Sequence, residues 1–210
     1  MLFSNPDPPL LVGIVVALLA GITFHEFSHA LLADQLGDHR PRALGRVSLN
    51  PLRHLEPLGA IFFLIAGFGW GKPVPVNAYS LRPGRIGMTI VAAAGPLANF
   101  ALAALVAVLF RVLQLGGLLD SEFLRLVVAS IVFFNVALGL FNLIPIPPLD
   151  GYNVVLPLLP PRQAFAVQRY APYGYVALLV LVLLSYGAVS GPLDWLFGLA
   201  GTLSGYMLGA

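Results

Sequence analysis

PLLVGIVVALLAGITFHEFSHALLA, residues 9–33, is the stretch whose reading decides the fold. As a helix it is about 37 Å long at 1.5 Å per residue, more than the roughly 30 Å of a bilayer's hydrocarbon core. Its only ionisable side chains are His25, Glu26 and His29, set as His-Glu-x-x-His. Four positions apart, the two imidazoles leave one helix face about 6 Å apart along the axis, so both can serve one tetrahedral cation. Glu26 lies beside them, where a carboxylate can take a proton from water held by that cation. Three ionisable groups in a lipid-soluble helix are costly, so the motif implies a function. Gly13, Ala17 and Gly21 share the stripe of His25 and His29, which predicts a neighbouring helix packed closely on that face.

Composition agrees. Of 210 residues, 59% are hydrophobic and 10% charged, whereas soluble domains carry about 25% charged residues. The reading is an all-α polytopic integral membrane protein in contact with the lipid bilayer. The net charge of +2, with eleven scattered Lys and Arg, argues against nucleic acid. Without cysteine, any metal must be held by His and carboxylate. The N-terminus lacks the basic segment of a secretory signal, so the first apolar run is read as a permanent helix. No repeat or soluble appendage is evident, and residues 1–210 read as one domain, with a core at 9–152 and a C-terminal helical hairpin at 172–209.

Along the chain, spans are expected at 9–33, 86–113 and 124–144, and the hairpin at 172–190 and 192–209 brings the total to about five. Gly201, Gly205 and Gly209 suggest close packing within it. Residues 46–50 read as a short strand ended by Asn50-Pro51, able to pair with an unwound substrate. Residues 57–70, about 21 Å as a helix, are too short to cross and read as re-entrant.

Two histidines are not a complete site, since a catalytic zinc usually has three protein ligands and an open position. Most acidic residues, Asp34 and Asp38 among them, read as solvated surface. Asp150 differs, because it follows a long apolar span and a proline-broken segment. Its competing reading is a turn aspartate before Gly151. Topology favours the ligand. If 57–70 dips in and returns, the first and third clear spans end on the same side, and Asp150 can meet His25 and His29. That arrangement also gathers Arg40, Arg42, Arg46, Arg53, Lys72, Arg82, Arg85, Arg162 and Arg169 on one side, as the positive-inside rule expects. It puts the N-terminus outside and the site towards the cytoplasm. Asn99 and Asn142, amides within apolar spans, are candidates for binding a substrate backbone or oxyanion, or for ordinary interhelical bonding.

The segments HEFSH, GRVSLNPLRHLEPLG, GWGKPVPVN, AAGPLAN and NLIPIPPLDG, in that order between Gly21 and Tyr152, resemble the site-2 proteases, intramembrane zinc metalloproteases. The resemblance implies one Zn²⁺ on His25, His29 and Asp150, with Glu26 as catalyst. It also implies cleavage of transmembrane segments in membrane-protein substrates, in a prokaryotic cytoplasmic membrane. Asn142 matches the family's asparagine before the LDG turn, and His54 the histidine of its NPLxH segment, either catalytic or positioning backbone. Glu56 stands where the family often has aspartate, and the chain reads as a compact form without PDZ or CBS domains. Two other classes stay open: a membrane metal transporter, and an inactive scaffold that binds membrane helices.

Overall fold

A computed structural model describes residues 8–57, 59, 71–82, 84–115, 121–187 and 191–209. Three long helices form the core: α1 (Pro8–Gln35), α3 (Arg85–Leu115) and α4 (Glu122–Asn142), each packed on the other two. All three are long and apolar enough to cross a membrane. The short α2 (Arg40–Ala43) follows α1, while α5 (Asp150–Val155) follows α4 and packs against α3. The C-terminal part holds α6 (Pro161–Gln168), α7 (Gly174–Gly187) and α8 (Asp194–Leu208).

The small-residue stripe on α1 does what its spacing predicts. A Cβ on Gly13 would stand 2.5 Å from Ser130 Cβ, and one on Gly21 would stand 2.7 Å from Asn135 Oδ1, so α4 lies directly on this face. The opposite face, with Val12, Val15, Val16 and Leu19, is exposed; in a bilayer such side chains meet lipid rather than water. Where α3 and α4 meet, Ala103, Ala107, Val132, Val136 and Ala137 form a buried cluster, closed by Ala200 of α8.

The connection from α1 to α3 returns to where it left. Arg82 N donates to Leu36 O at 2.8 Å, and Asn77 N donates to Asp38 Oδ2 at 2.6 Å. The C-terminal ends of α1 and α4 and the N-terminal end of α3 therefore share one end of the bundle, the arrangement that a ligand at Asp150 requires. The expected re-entrant segment 57–70 lies, apart from Pro57 and Gly59, outside the described residues.

Three expectations are corrected. First, no strand occurs among the described residues, and 46–50 is irregular. Several of its polar groups are engaged: Ser48 N donates to Arg46 O, Ser48 O accepts from His54 Nε2, and Asn50 caps the 3₁₀ turn Pro51–Arg53. The nearest thing to a sheet is one antiparallel bridge between Leu55 and Gly71. Second, the described residues hold three candidate spans, or four if the 42° bent pair Pro161–Gln168 and Ala171–Ser185 counts as one, so about five spans are not confirmed. The 14 residues of α7 and 15 of α8 give only about 21–23 Å each. Within α8 the residues turned to the bundle are Leu196, Ala200 and Ser204; a Cβ at Gly201 or Gly205 would meet nothing within 4 Å, so those glycines do not mark a close approach. Third, Asp34 and Asp38 are buried, not solvated. Asp34 pairs with Arg42 and His39, and Asp38 with Arg40. Asp38 thereby ties the loop at Asn77 to the end of α1, and the Arg40 guanidinium holds its carboxyl down to about 2.

Candidate metal centre

Three elements converge at the shared end of the bundle. His25 and His29 come from the C-terminal half of α1, their rings edge to face with centroids 4.7 Å apart. Asp150 comes from the first turn of α5, where the positive end of the helix dipole favours a carboxylate. Its position depends on the residue that follows, because a Cβ on Gly151 would stand 2.6 Å from Ile144 O and collide with the Leu143 carbonyl. Only glycine lets α5 fold back so tightly against the end of α4.

His25 Nε2 lies 2.9 Å from Asp150 Oδ2 and 3.1 Å from His29 Nε2, and His29 Nε2 lies 3.2 Å from Asp150 Oδ2. Ligand atoms 2.0–2.1 Å from a tetrahedral zinc are about 3.3 Å from one another, so this triangle is close to one face of such a coordination shell. The outward nitrogens are also in order. His29 Nδ1 donates to Val91 O at 2.7 Å, and His25 Nδ1 bonds to Asn99 Oδ1 at 2.7 Å, which turns both Nε2 atoms inward as the nitrogens that would ligate a metal. The third observation is space. A Cβ on Gly95 of α3 would stand 2.6 Å from His25 Nε2 and press on His29 Nε2. The glycine keeps clear a hollow bounded by the donor atoms, and the residues present fit a divalent metal of zinc's size.

Glu26 lies on the rim, its side chain 13% exposed, with Oε2 3.9 Å from Arg46 Nη2. Arg46 is only 5% exposed and donates to the carbonyls of Arg53 and Lys72, joining the two segments that meet at the Leu55–Gly71 bridge. His54 is fully buried; its Nε2 donates to Ser48 O at 2.6 Å and its backbone carbonyl accepts from Lys72 N. It therefore braces this loop and is not among the converging donors.

The asparagines part company. Asn99 is fully buried and spends every polar atom on protein: Oδ1 on His25, and Nδ2 on Gly21 O and Asn135 Oδ1, both at 3.1 Å. Neither amide hydrogen is left for an oxyanion, and the oxygen faces His25. Asn142 donates one N–H to Leu138 O in its own helix. Sequence reasoning missed Asn135, Gly95 and Arg46. An amide in mid-run of the apolar α4 was the available sign for Asn135; the parts of Gly95 and Arg46 depend on contacts with distant segments.

A His-Glu-x-x-His pair on an apolar helix, completed by a distant aspartate, defines the membrane-embedded metallopeptidase class of site. Residues 110–185 match Peptidase family M50. The chain is 35% identical to "Putative zinc metalloprotease YwhC" of Bacillus subtilis over 188 residues, 85% of this chain and 84% of that one. It is 34% identical to "Putative zinc metalloprotease Rip2" of Mycobacterium tuberculosis, over 93% of this chain and 78% of the relative. The archaeal "Putative zinc metalloprotease MJ0611" of Methanocaldococcus jannaschii is 32% identical over 73% and 75%. No solved structure matches significantly. The chain belongs to peptidase family M50, the site-2 proteases that its motifs resemble.

Proposed function

We propose that this protein is a zinc-dependent intramembrane endopeptidase that cleaves transmembrane segments of other membrane proteins. The observation that carries the reading is the trio of His25, His29 and Asp150 donor atoms within 3.2 Å of one another, at one end of an apolar helix bundle and next in sequence to Glu26. The relatives' names support zinc and peptide hydrolysis.

His25 Nε2, His29 Nε2 and Asp150 Oδ2 would hold the ion, which when bound supplies Lewis acidity towards a water and a peptide carbonyl. Glu26 takes the proton of the attacking water on a carboxylate oxygen and hands it to the nitrogen of the leaving amine. Arg46, which tethers the neighbouring loop segments, keeps a cation beside that carboxylate. Asn142, with one N–H committed to Leu138 O, retains its other N–H and its Oδ1 for a substrate amide. A helical substrate hides its amides, so it must unwind before attack.

The basic residues cluster on the connections at the site end, which supports an orientation with the N-terminus outside and the site towards the cytoplasm. We read residues 1–210 as one protease domain in a prokaryotic cytoplasmic membrane. The test is incubation of the purified chain in lipid with a panel of membrane-anchored peptides. Cleavage should stop with a chelator, return with zinc and be lost in Glu26→Gln. A chain that moved zinc across vesicles and cut nothing would be a transporter; one that bound peptides without stoichiometric zinc would be a scaffold.

A further inference from the structure

The two metal-facing histidines are oriented by unlike partners. His29 Nδ1 meets a backbone carbonyl, Val91 O. A carbonyl can only accept, so Nδ1 carries a hydrogen and Nε2 is the nitrogen left to a metal. His25 Nδ1 meets a side-chain amide instead. Turned end for end, that amide would present N–H, put the histidine hydrogen on Nε2 and abolish the ligand. Something must hold Asn99 the right way round.

We infer that Asn135, in the middle of α4, is a positioning residue that fixes the amide of Asn99 and through it the hydrogen of His25. The inference rests on the metal reading above. Asn135 Nδ2 donates to Ile131 O at 2.9 Å, which leaves Oδ1 facing Asn99. Asn99 Nδ2 then has two hydrogens and two acceptors, Asn135 Oδ1 and Gly21 O. A turned Asn99 would aim its oxygen at both of them. The backbone acceptor alone leaves one amide hydrogen unsatisfied; with Asn135 the turned state loses two bonds and gains a repulsion on each.

The relay is dry, with Asn99 fully buried and Asn135 1% exposed. In such surroundings a polar group without a partner is costly, so each link is strongly directional. Room for it comes from α1, since a Cβ on Gly21 would stand 2.7 Å from Asn135 Oδ1 and 3.4 Å from Asn99 Nδ2. Asn135 belongs to a different helix from either histidine, so the state of His25 depends on the docking of three helices.

The test uses the full chain in detergent or nanodiscs, with zinc affinity measured against a chromophoric chelator and the His25 Nδ1–H signal read by ¹⁵N NMR in the zinc-loaded protein. Asn135→Leu should bind zinc about tenfold more weakly, the lower range for partners behind a ligand, and show a shifted Nδ1–H signal that has lost its hydrogen bond to Asn99. Asn135→Asp keeps an acceptor and should stay within about threefold of wild type with an unshifted signal. If Asn135→Leu does not fold, Gly21→Ala, which displaces Asn135 Oδ1, is read in its place for the same two losses. Wild-type affinity together with an unshifted His25 signal in the Leu or Gly21→Ala variant would overturn the relay. Failure of the wild type to bind zinc would instead overturn the metal reading on which the relay rests.

Discussion

Gly95→Ala places one methyl group where the metal's neighbours converge. The new carbon would lie 2.6 Å from His25 Nε2 and 2.7 Å from His25 Cε1, while ordinary contact begins at 3.4 Å. The overlap at Nε2 is therefore 0.8 Å (3.4 minus 2.6), and His29 Nε2 is crowded as well. Metal sites hold their ligand distances to about 0.2 Å, so both imidazoles cannot stay in place. Changes behind the ligands cost 10–100-fold in affinity; displacing the ligands should cost more than about 100-fold, or about 2.7 kcal/mol. The fold should survive, because alanine is favoured over glycine inside a helix by about 1 kcal/mol and the clash falls on side chains. Zinc competition titration gives the affinity, and far-UV circular dichroism gives the helix content. Zinc binding within about threefold of wild type at unchanged helicity would refute the placement of the cation.

Glu26→Gln should retain zinc stoichiometry while the cleavage rate falls about 10²–10⁴-fold, as read by peptide cleavage and metal analysis on one sample. Gly151→Ala forces its Cβ into the Leu143 and Ile144 carbonyls and should cost about 1–3 kcal/mol of stability as overpacking does; a thermal midpoint equal to wild type would contradict this. Asp38 is held at about 2 rather than 3.8, first by the Arg40 guanidinium. A depressed carboxyl stabilises the fold above its unfolded pKa, so this contribution is present above about pH 4 and disappears as the pH falls towards about 2. Its size is about 2 kcal/mol at most, since Arg40 is half exposed. Thermal melts across that window should show a smaller acid loss in Asp38→Asn than in wild type.

Much of the molecule was legible because a bilayer forces local sequence to declare itself. Lipid offers no partner to backbone N–H and C=O, so a long apolar run must be a helix, and α1, α3 and α4 begin and end within a few residues of the expected places. The small-residue stripe on α1 was equally readable, since helical periodicity alone puts Gly13, Gly21, His25 and His29 on one face. Lengths near the minimum were not. The C-terminal runs are apolar enough to suggest a hairpin, but α7 reaches the length of a span only together with α6, and α8 by itself is short of it. Residues 46–50 have the composition of a strand, yet the Ser48 carbonyl is taken by the buried His54 ring and the Arg46 side chain reaches Lys72 O, contacts that strand composition does not supply.

The sequence by itself determined that two imidazoles and a carboxylate share one helix turn, that this helix is apolar enough for a bilayer, and that an aspartate after a proline-broken end could join them. What only the tertiary structure decided is which groups serve the ligands from outside. Asn99 meets His25 Nδ1, Asn135 meets Asn99, and Gly95 leaves space beside both imidazoles. Periodicity is a property of one helix, whereas these roles depend on where a second and third helix bring their atoms. Hydrogen bonds and collisions are settled over a few tenths of an ångström, and only the packed bundle sets distances to that precision.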